Sequence, residues 1–274
     1  MDAWIIALLV IFGVLLLLFA AYLILIAPAR KKGIQKYKNV KFAHRGLHGN
    51  GRAENSASAF KAAVDAGYGI ELDVRLSKDG ELVVFHDDTL KRVTGIDGRV
   101  DEYTADELAN FKLSGTEDGI PRFSEVLEIV AGKVVLLVEI KEDAGNSAVS
   151  EKTAEMLLDY DGPYIVESFN PLSLATISKR LPKIARGILS HRYYAYERYR
   201  KPLYFFLQCL LLNRICKPSF IAYDHRHARC ISLRIARLMG AFTVAWTVKS
   251  AEDEAKAYKN GFDTVIFEGY LPEK

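Results

Sequence analysis

The chain has 274 residues, half of them hydrophobic and 26% charged, with a formal net charge of +3. One large core is therefore within reach, and so weak a charge, without a basic stripe interleaved with aromatics, argues against a nucleic-acid partner. Cys209, Cys216 and Cys230 are odd in number and show no CxxC spacing, so neither a disulfide framework nor a zinc site is expected; they suit a reducing compartment.

The first expected element is a transmembrane helix over 1–28. Ala3 to Ala27 carries no charge, and its length of about 25 residues is enough to cross a bilayer. Ala27-Pro28-Ala29 loosely resembles a signal-cleavage site, but the apolar run is too long for a signal peptide and no basic residue precedes it. A basic linker over 29–39 follows. Arg30, Lys31, Lys32, Lys36, Lys38 and Lys41 come after the span, and only Asp2 is charged before it. Positive flanks stay on the cytoplasmic side, so a single-pass cell-membrane protein with its globular part in the cytoplasm is expected. The same lysines suit anionic headgroups, at about 1 kcal/mol each.

Residues 40–274 alternate between β-like and helical patterns. Strands are expected at Val40–Ala43, Gly69–Asp73, Val134–Ile140, Tyr164–Ser168, Ile184–Leu189, Phe220–Tyr223, Thr243–Thr247 and Asp263–Phe267. Helices fall at Ser56–Ala66, Ser124–Val130, Val149–Leu158, Leu172–Leu181, Cys230–Met239 and Ala251–Lys259. This alternation predicts an α/β fold, a closed (β/α)8 TIM barrel. No Gly-x-Gly-x-x-Gly follows the first strand, which disfavours a doubly wound dinucleotide fold. Little chain follows Leu271, so a closing eighth helix is expected to be minimal or absent.

Two stretches interrupt the alternation. After the second strand, Val74–Leu76 and Glu81–Phe85 flank Lys78-Asp79-Gly80, a hairpin signal. A two-residue Asp79-Gly80 turn would pair Asp73 with His86 above the barrel mouth, and a polar insertion over 87–121 follows. The second, 190–218, is basic and tyrosine-rich to Lys201, then apolar from Leu203 through Ile215. It fits either an interfacial membrane element over 203–216 or a helix packed on the barrel wall, being too short to span alone.

Glu71 and Asp73 share one face of a strand, and Glu139 and Lys141 repeat that spacing after the apolar run Val134–Val138. Charges ending so hydrophobic a strand are expected at its C-terminal end, where barrel active sites are built. Three carboxylates converging there need neutralising, and Mg²⁺ or Ca²⁺ prefers oxygen ligands. His44 and His86 suit a general acid–base pair, with Arg45 and Lys141 on the phosphate oxygens of a diester. His225 and His227, after Phe220–Tyr223, read as surface-loop residues.

His44-Arg45-Gly46, Glu54-Asn55-Ser56, Glu71-Leu72-Asp73-Val74, Lys78-Asp79-Gly80, Val84-Phe85-His86-Asp87, Glu139-Ile140-Lys141, Ser168-Phe169-Asn170 and Trp246-Thr247-Val248 together resemble the glycerophosphodiester phosphodiesterase family. The resemblance implies a TIM barrel with an insertion after strand 2, and hydrolysis of glycerophosphodiesters to glycerol 3-phosphate and an alcohol. By matching positions it implies His44 and His86 as acid–base pair, Glu71, Asp73 and Glu139 as metal ligands, and Arg45 and Lys141 as phosphate contacts. It alone adds Glu54 as a supporting residue and Trp246 beside the glycerol or leaving group; helix stabilisation and barrel packing are their competing roles. Phe267-Glu268 and Lys249 depart from the family's frequent Thr-Asp and Asn, at positions not required for the acid, base or metal roles. The anchor and the greasy segment extend the expected substrates to lysophospholipids. A non-catalytic membrane-anchored lipid-head-group sensor and a phospholipase C-like phosphodiesterase are the alternatives, and no protein partner is predicted.

Overall fold

A computed structural model describes residues 2–29, 33–143 and 145–273; Arg30, Lys31 and Lys32 of the basic flank lie outside the described residues. Helix α1, Ala3–Ile26, is apolar on every side and long and hydrophobic enough to cross a membrane. Its side chains mostly face outward: Leu17 is 72% exposed, whereas Ile26 is fully covered. Such a surface needs a non-aqueous neighbour.

The rest alternates as expected. Strand β1 is Phe42–Ala43, followed by α2, Ala57–Asp65, and β2, Gly69–Leu76. Ser56 caps α2 by accepting from the Ala59 amide at 3.2 Å. Then come β3 (Leu82–Val84), α3 (Lys91–Thr94), α4 (Ala105–Ala109), α5 (Phe123–Val130), β4 (Leu136–Ile140), α6 (Ala148–Leu158), β5 (Tyr164–Ser168) and α7 (Pro171–Arg180). The chain continues through β6 (Arg186–Ser190), α8 (Pro202–Gln208), α9 (Asn213–Cys216), β7 (Phe220–Asp224), α10 (Ile231–Leu238), β8 (Phe242–Val248), α11 (Ala251–Lys259) and β9 (Thr264–Phe267).

The order β1-β9-β8-β7-β6-β5-β4-β2, closed by β1–β2 pairing, makes an eight-stranded parallel barrel. Strands β4 and β5 are buried along their whole length, which explains why they read as continuous apolar runs. Among the described residues no helix follows β9. Instead the C-terminal stretch runs back to Tyr68, just ahead of β2, and the Tyr68 hydroxyl donates to the Pro272 carbonyl at 2.7 Å.

Strand β2 is long and β1 is short, and this difference shapes the mouth. β1 covers only Gly69 and Ile70 on one edge of β2, leaving Val74–Leu76 of that edge free for β3. The antiparallel hairpin therefore rises above the rim. Its register corrects the expected pairing by one residue: Val74 faces Val84, and Asp73 accepts from the Phe85 amide at 2.9 Å. The turn holds three residues, Lys78-Asp79-Gly80, rather than two, with Gly80 at φ 78°. The insertion that follows is not simply polar. Its Leu90, Val93, Leu108 and Ile120 form an apolar cluster with Val83 and Phe85 of the hairpin.

The 190–218 excursion packs partly on the barrel wall, as one of its two expected forms requires. Leu210 and Cys216 are buried against the barrel, while Leu203, Phe205, Phe206 and Ile215 are about half exposed. It also meets the end of α1: the Asn213 amide nitrogen donates to the Ile26 carbonyl at 3.1 Å, and the Ala29 amide to the Pro218 carbonyl at 2.8 Å. Lys36 and Lys38 are exposed, but Lys41 pairs with Glu254 at 2.7 Å, so it is not the free headgroup contact expected of it.

Candidate active site

Parallel pairing aligns Asp73 with Glu139 and Glu139 with Glu167, so three adjacent strands carry carboxylates at one level. Glu71 lies two residues earlier on β2, on the same side. Oxygens of Glu71, Asp73 and Glu139 all lie within 4.8 Å of one another, and all three side chains are buried. Burial, reinforced by Asp73 and Glu139, raises Glu71 well above the usual carboxylate range. Burial likewise pushes Glu139 up to about 7, against the opposing pull of Lys141. Asp73 goes the other way: burial works against its charge, but Lys141, His86, Arg45 and Asn55 together hold it ionised.

These oxygens fit a hard divalent cation. They form an all-oxygen donor set, and Asp73 Oδ1 is buried with no well-aligned hydrogen-bond donor, having only Lys141 Nζ at 3.1 Å. Lys141 Nζ also lies 2.6 Å from Glu139 Oε1. Lys141 thus partly neutralises the cluster and holds two of its members together.

The loop between β1 and α2 delivers the next group. His44 follows β1 directly, and its Nδ1 lies 2.7 Å from Glu268 Oε2 at the end of β9. Lys249 Nζ braces the other oxygen of Glu268 at 3.0 Å. Arg45 turns back through a left-handed backbone (φ 56°), and its amide donates to Glu71 Oε2 at 2.8 Å. Its guanidinium reaches Glu54 at 2.7 Å and Asp73 at 3.5 Å. Gly46 continues at φ 79°, and a Cβ there would meet Ala59 and Phe60 at 3.0 Å. Asn55 is buried and donates to Asp73 Oδ2 at 2.8 Å.

His86 arrives from the opposite side, at the foot of the hairpin. Arg75 grips its carbonyl through Nε and Nη2 at 2.9 and 2.8 Å. Its Nδ1 lies 2.6 Å from Asp87 Oδ1, and Arg92 of the insertion binds both Asp87 and Glu54. Burial draws His86 down to about 4 and also lowers His44, the latter against the Glu268 hydrogen bond.

His44, Arg45, Glu71, His86, Glu139, Lys141 and Trp246 line one cavity of about 110 Å³. Asp73 lies buried beneath it. Glu54 stands behind Arg45 and does not cap α2, whose cap is Ser56. Trp246 packs edge-on against Phe169, with centroids 5.5 Å apart, and its buried Nε1 has no partner among the described residues. His225 and His227 line a separate pocket beside Arg226 and Arg229.

Sequence reasoning missed several of these neighbours. Glu167, buried with Oε2 unpartnered and raised by burial and by Glu139, stands next to last in β5 as Glu139 does in β4, so the same signal was present. Glu268 was visible only as a departure from a frequent Asp, yet it is the residue that holds His44. Asn55, Asp87 and Arg92 have partners distant in sequence, or roles that no local pattern announces.

Comparison with known proteins bears on this geometry. Residues 44–269 match the Glycerophosphoryl diester phosphodiesterase family. The chain is 32% identical over 248 residues to a glycerophosphodiester phosphodiesterase of Caldanaerobacter subterraneus subsp. tengcongensis, covering 84% of this chain and 93% of that one. It is 32% identical over 160 residues to a lysophospholipase D of Rattus norvegicus, covering 52% of this chain and 49% of the relative. The fold is similar to that of an Oleispira antarctica phosphodiesterase solved with the product sn-glycerol-3-phosphate (TM-score 0.70, 24% identity, 85% and 94% coverage). It is also similar to a glycerophosphodiester phosphodiesterase of Thermotoga maritima (TM-score 0.64, 26% identity, 84% and 94% coverage). With a match across nearly the whole barrel, the chain belongs to the glycerophosphoryl diester phosphodiesterase family.

Proposed function

We propose that this chain hydrolyses glycerophosphodiesters to glycerol 3-phosphate and an alcohol in the 110 Å³ cavity at the barrel mouth. The observation that carries this reading is two carboxylate-backed histidines facing one cavity whose floor is a cluster of buried acids. Glu71, Asp73 and Glu139 would hold Mg²⁺ or Ca²⁺, which when bound supplies positive charge against the negative charge developing on the phosphoryl oxygens.

The protein's own groups do the rest. Glu268 and Asp87 each engage an Nδ1, which leaves both Nε2 atoms for the substrate. One ring takes the proton of the attacking oxygen as its P–O bond forms. The other gives a proton to the departing alkoxide as the second P–O bond breaks. Both rings favour the neutral form while the cavity holds no anion; a phosphate between them raises both, which allows one to carry the proton. The attacking oxygen is water's, or the glycerol 2-hydroxyl's, in which case water then opens a cyclic phosphate. Lys141 and Arg45 contact the non-bridging oxygens, and Trp246 offers its ring and its unpartnered N–H to the glycerol or leaving group.

The rest of the reading concerns place. Residues 1–28 anchor the chain in the cell membrane, 29–39 form a basic linker, and 40–274 form the catalytic barrel on the cytoplasmic side. Lipid-linked diesters such as lysophospholipids are a second substrate class, favoured by the anchor and by the likeness to a lysophospholipase D. Alcohol release from soluble glycerophosphodiesters with added Mg²⁺ or Ca²⁺ is the direct test. Excess chelator, His44→Ala and His86→Ala are each expected to lower the rate at least about 100-fold. Undiminished release in both histidine variants removes the mechanism, and no release from any diester favours the sensor.

A further inference from the structure

A second cavity, of about 480 Å³, opens beside the catalytic one and shares Glu139, Lys141 and Phe169 with it. That volume lies in the roughly 300–1,000 Å³ range of small-molecule sites. Its outer wall is apolar: Leu172 at the start of α7, Leu203 and Leu207 of α8, Leu212, and Ile215 of α9. Leu172 and Leu203 are each about half exposed, an unusual use of leucine beside a polar mouth.

We propose that this groove holds the single aliphatic chain of a lipid-linked phosphodiester whose phosphate occupies the catalytic cavity. The inference rests on the phosphodiesterase reading above and assigns its substrate class to named residues. Two observations specify the occupant. The groove is continuous with the phosphate-binding end through Glu139 and Lys141, so whatever fills it is joined to the reacting group or abuts it. Its α9 wall is tied to the anchor, since Asn213 donates to the last carbonyl of α1. A chain leaving the bilayer beside α1 therefore meets Leu212 and Ile215 without crossing open water. Phe205 and Phe206, half exposed on the same short helix as Leu203 and Leu207, extend that apolar surface outward.

The test uses the full chain in lipid nanodiscs and 1-acyl glycerophosphocholines kept below their micelle-forming concentrations, with chain-free glycerophosphocholine as reference. Full burial of a methylene is worth about fourfold in affinity, so on a wall this exposed kcat/KM should climb about twofold per added methylene before levelling. Leu203→Asp should cut the ratio of long-chain to chain-free kcat/KM at least about tenfold. Leu238→Asp, at an 89% exposed site outside the groove, should leave that ratio as in the unmodified chain. A flat chain-length series with chain-free substrate still cleaved overturns the groove and leaves the phosphodiesterase reading standing. Equal losses in the two Asp variants also overturn it, by assigning the effect to general membrane adsorption. No cleavage of any diester, chain-free included, defeats the phosphodiesterase reading, and the groove proposal falls with it.

Discussion

Glu71 and Asp73 are the same kind of group two residues apart on one strand, yet their neighbours divide them. Asp73 faces Lys141, Arg45 and Asn55, which hold it charged; Glu71 has one backbone donor, and burial together with two acidic neighbours raises it well above the usual carboxylate range. A carboxyl whose pKa rises on folding costs stability as pH climbs above its ordinary range, and that cost disappears below the range. Glu71→Gln mimics the protonated form. In chelator at pH 7 it is expected to leave the melting temperature unchanged or raise it. Asp73→Asn takes a shared anion from two buried cations, leaving Lys141 to Glu139 and Arg45 to Glu54, and should cost about 1–3 kcal/mol. Thermal unfolding of the two purified variants decides the point. A Glu71→Gln protein less stable than Asp73→Asn would refute this division of charge. Both variants should lose turnover on the proposed reading, in which Glu71 and Asp73 are cation ligands.

The β1–α2 loop and the β2–β3 hairpin bring the two histidines to one place from two elements. The loop achieves its turn by left-handed residues at Arg45 and Gly46, with α2 packed so closely that a Cβ at Gly46 would press on Ala59 and Phe60 at 3.0 Å. Gly46→Ala should therefore cost about 1–3 kcal/mol, a melting shift of about 2–10 °C, from the backbone conformation and the contact with Ala59 and Phe60. Its loss of kcat should exceed what the unfolded fraction explains, because Arg45 and His44 move with the loop. A stable, fully active Gly46→Ala protein would show that the loop tolerates displacement. Most of this architecture was legible beforehand: every barrel strand was placed, since parallel strands buried on both faces write themselves as apolar runs. The hairpin register was not, because Lys78-Asp79-Gly80 suits a turn of two residues or three, and only packing selects between them. His86 reaches the mouth regardless, because it stands just beyond the paired stretch. Glu268 and Arg92 were hidden for a related reason. Their value lies in contacts with residues distant in sequence, which periodicity does not report.

At the scale of the molecule, the barrel and α1 form one packed object and not a tethered pair. Asn213 on Ile26, the Tyr22 hydroxyl on Ser232 at 3.0 Å and Ala29 on Pro218 fix the end of α1 against the barrel wall. If α1 spans a membrane as proposed, the barrel lies at the membrane surface, on the side that α1's flanks select. Asp2 is the lone charge before the span, against Arg30, Lys31, Lys32, Lys36 and Lys38 after it, and positive residues resist translocation. Lys41 drops out of this argument because Glu254 engages it within the fold. A C-terminal fluorescent protein should consequently light up, and a C-terminal alkaline phosphatase should stay inactive, in cells expressing the full chain. Replacing those five basic residues with Gln while placing basic residues ahead of Ala3 should reverse both readouts, without altering the barrel's own sequence. Active phosphatase on the unmodified chain would instead place the catalytic mouth outside the cytoplasm. The diesters within its reach would then be those of the other leaflet.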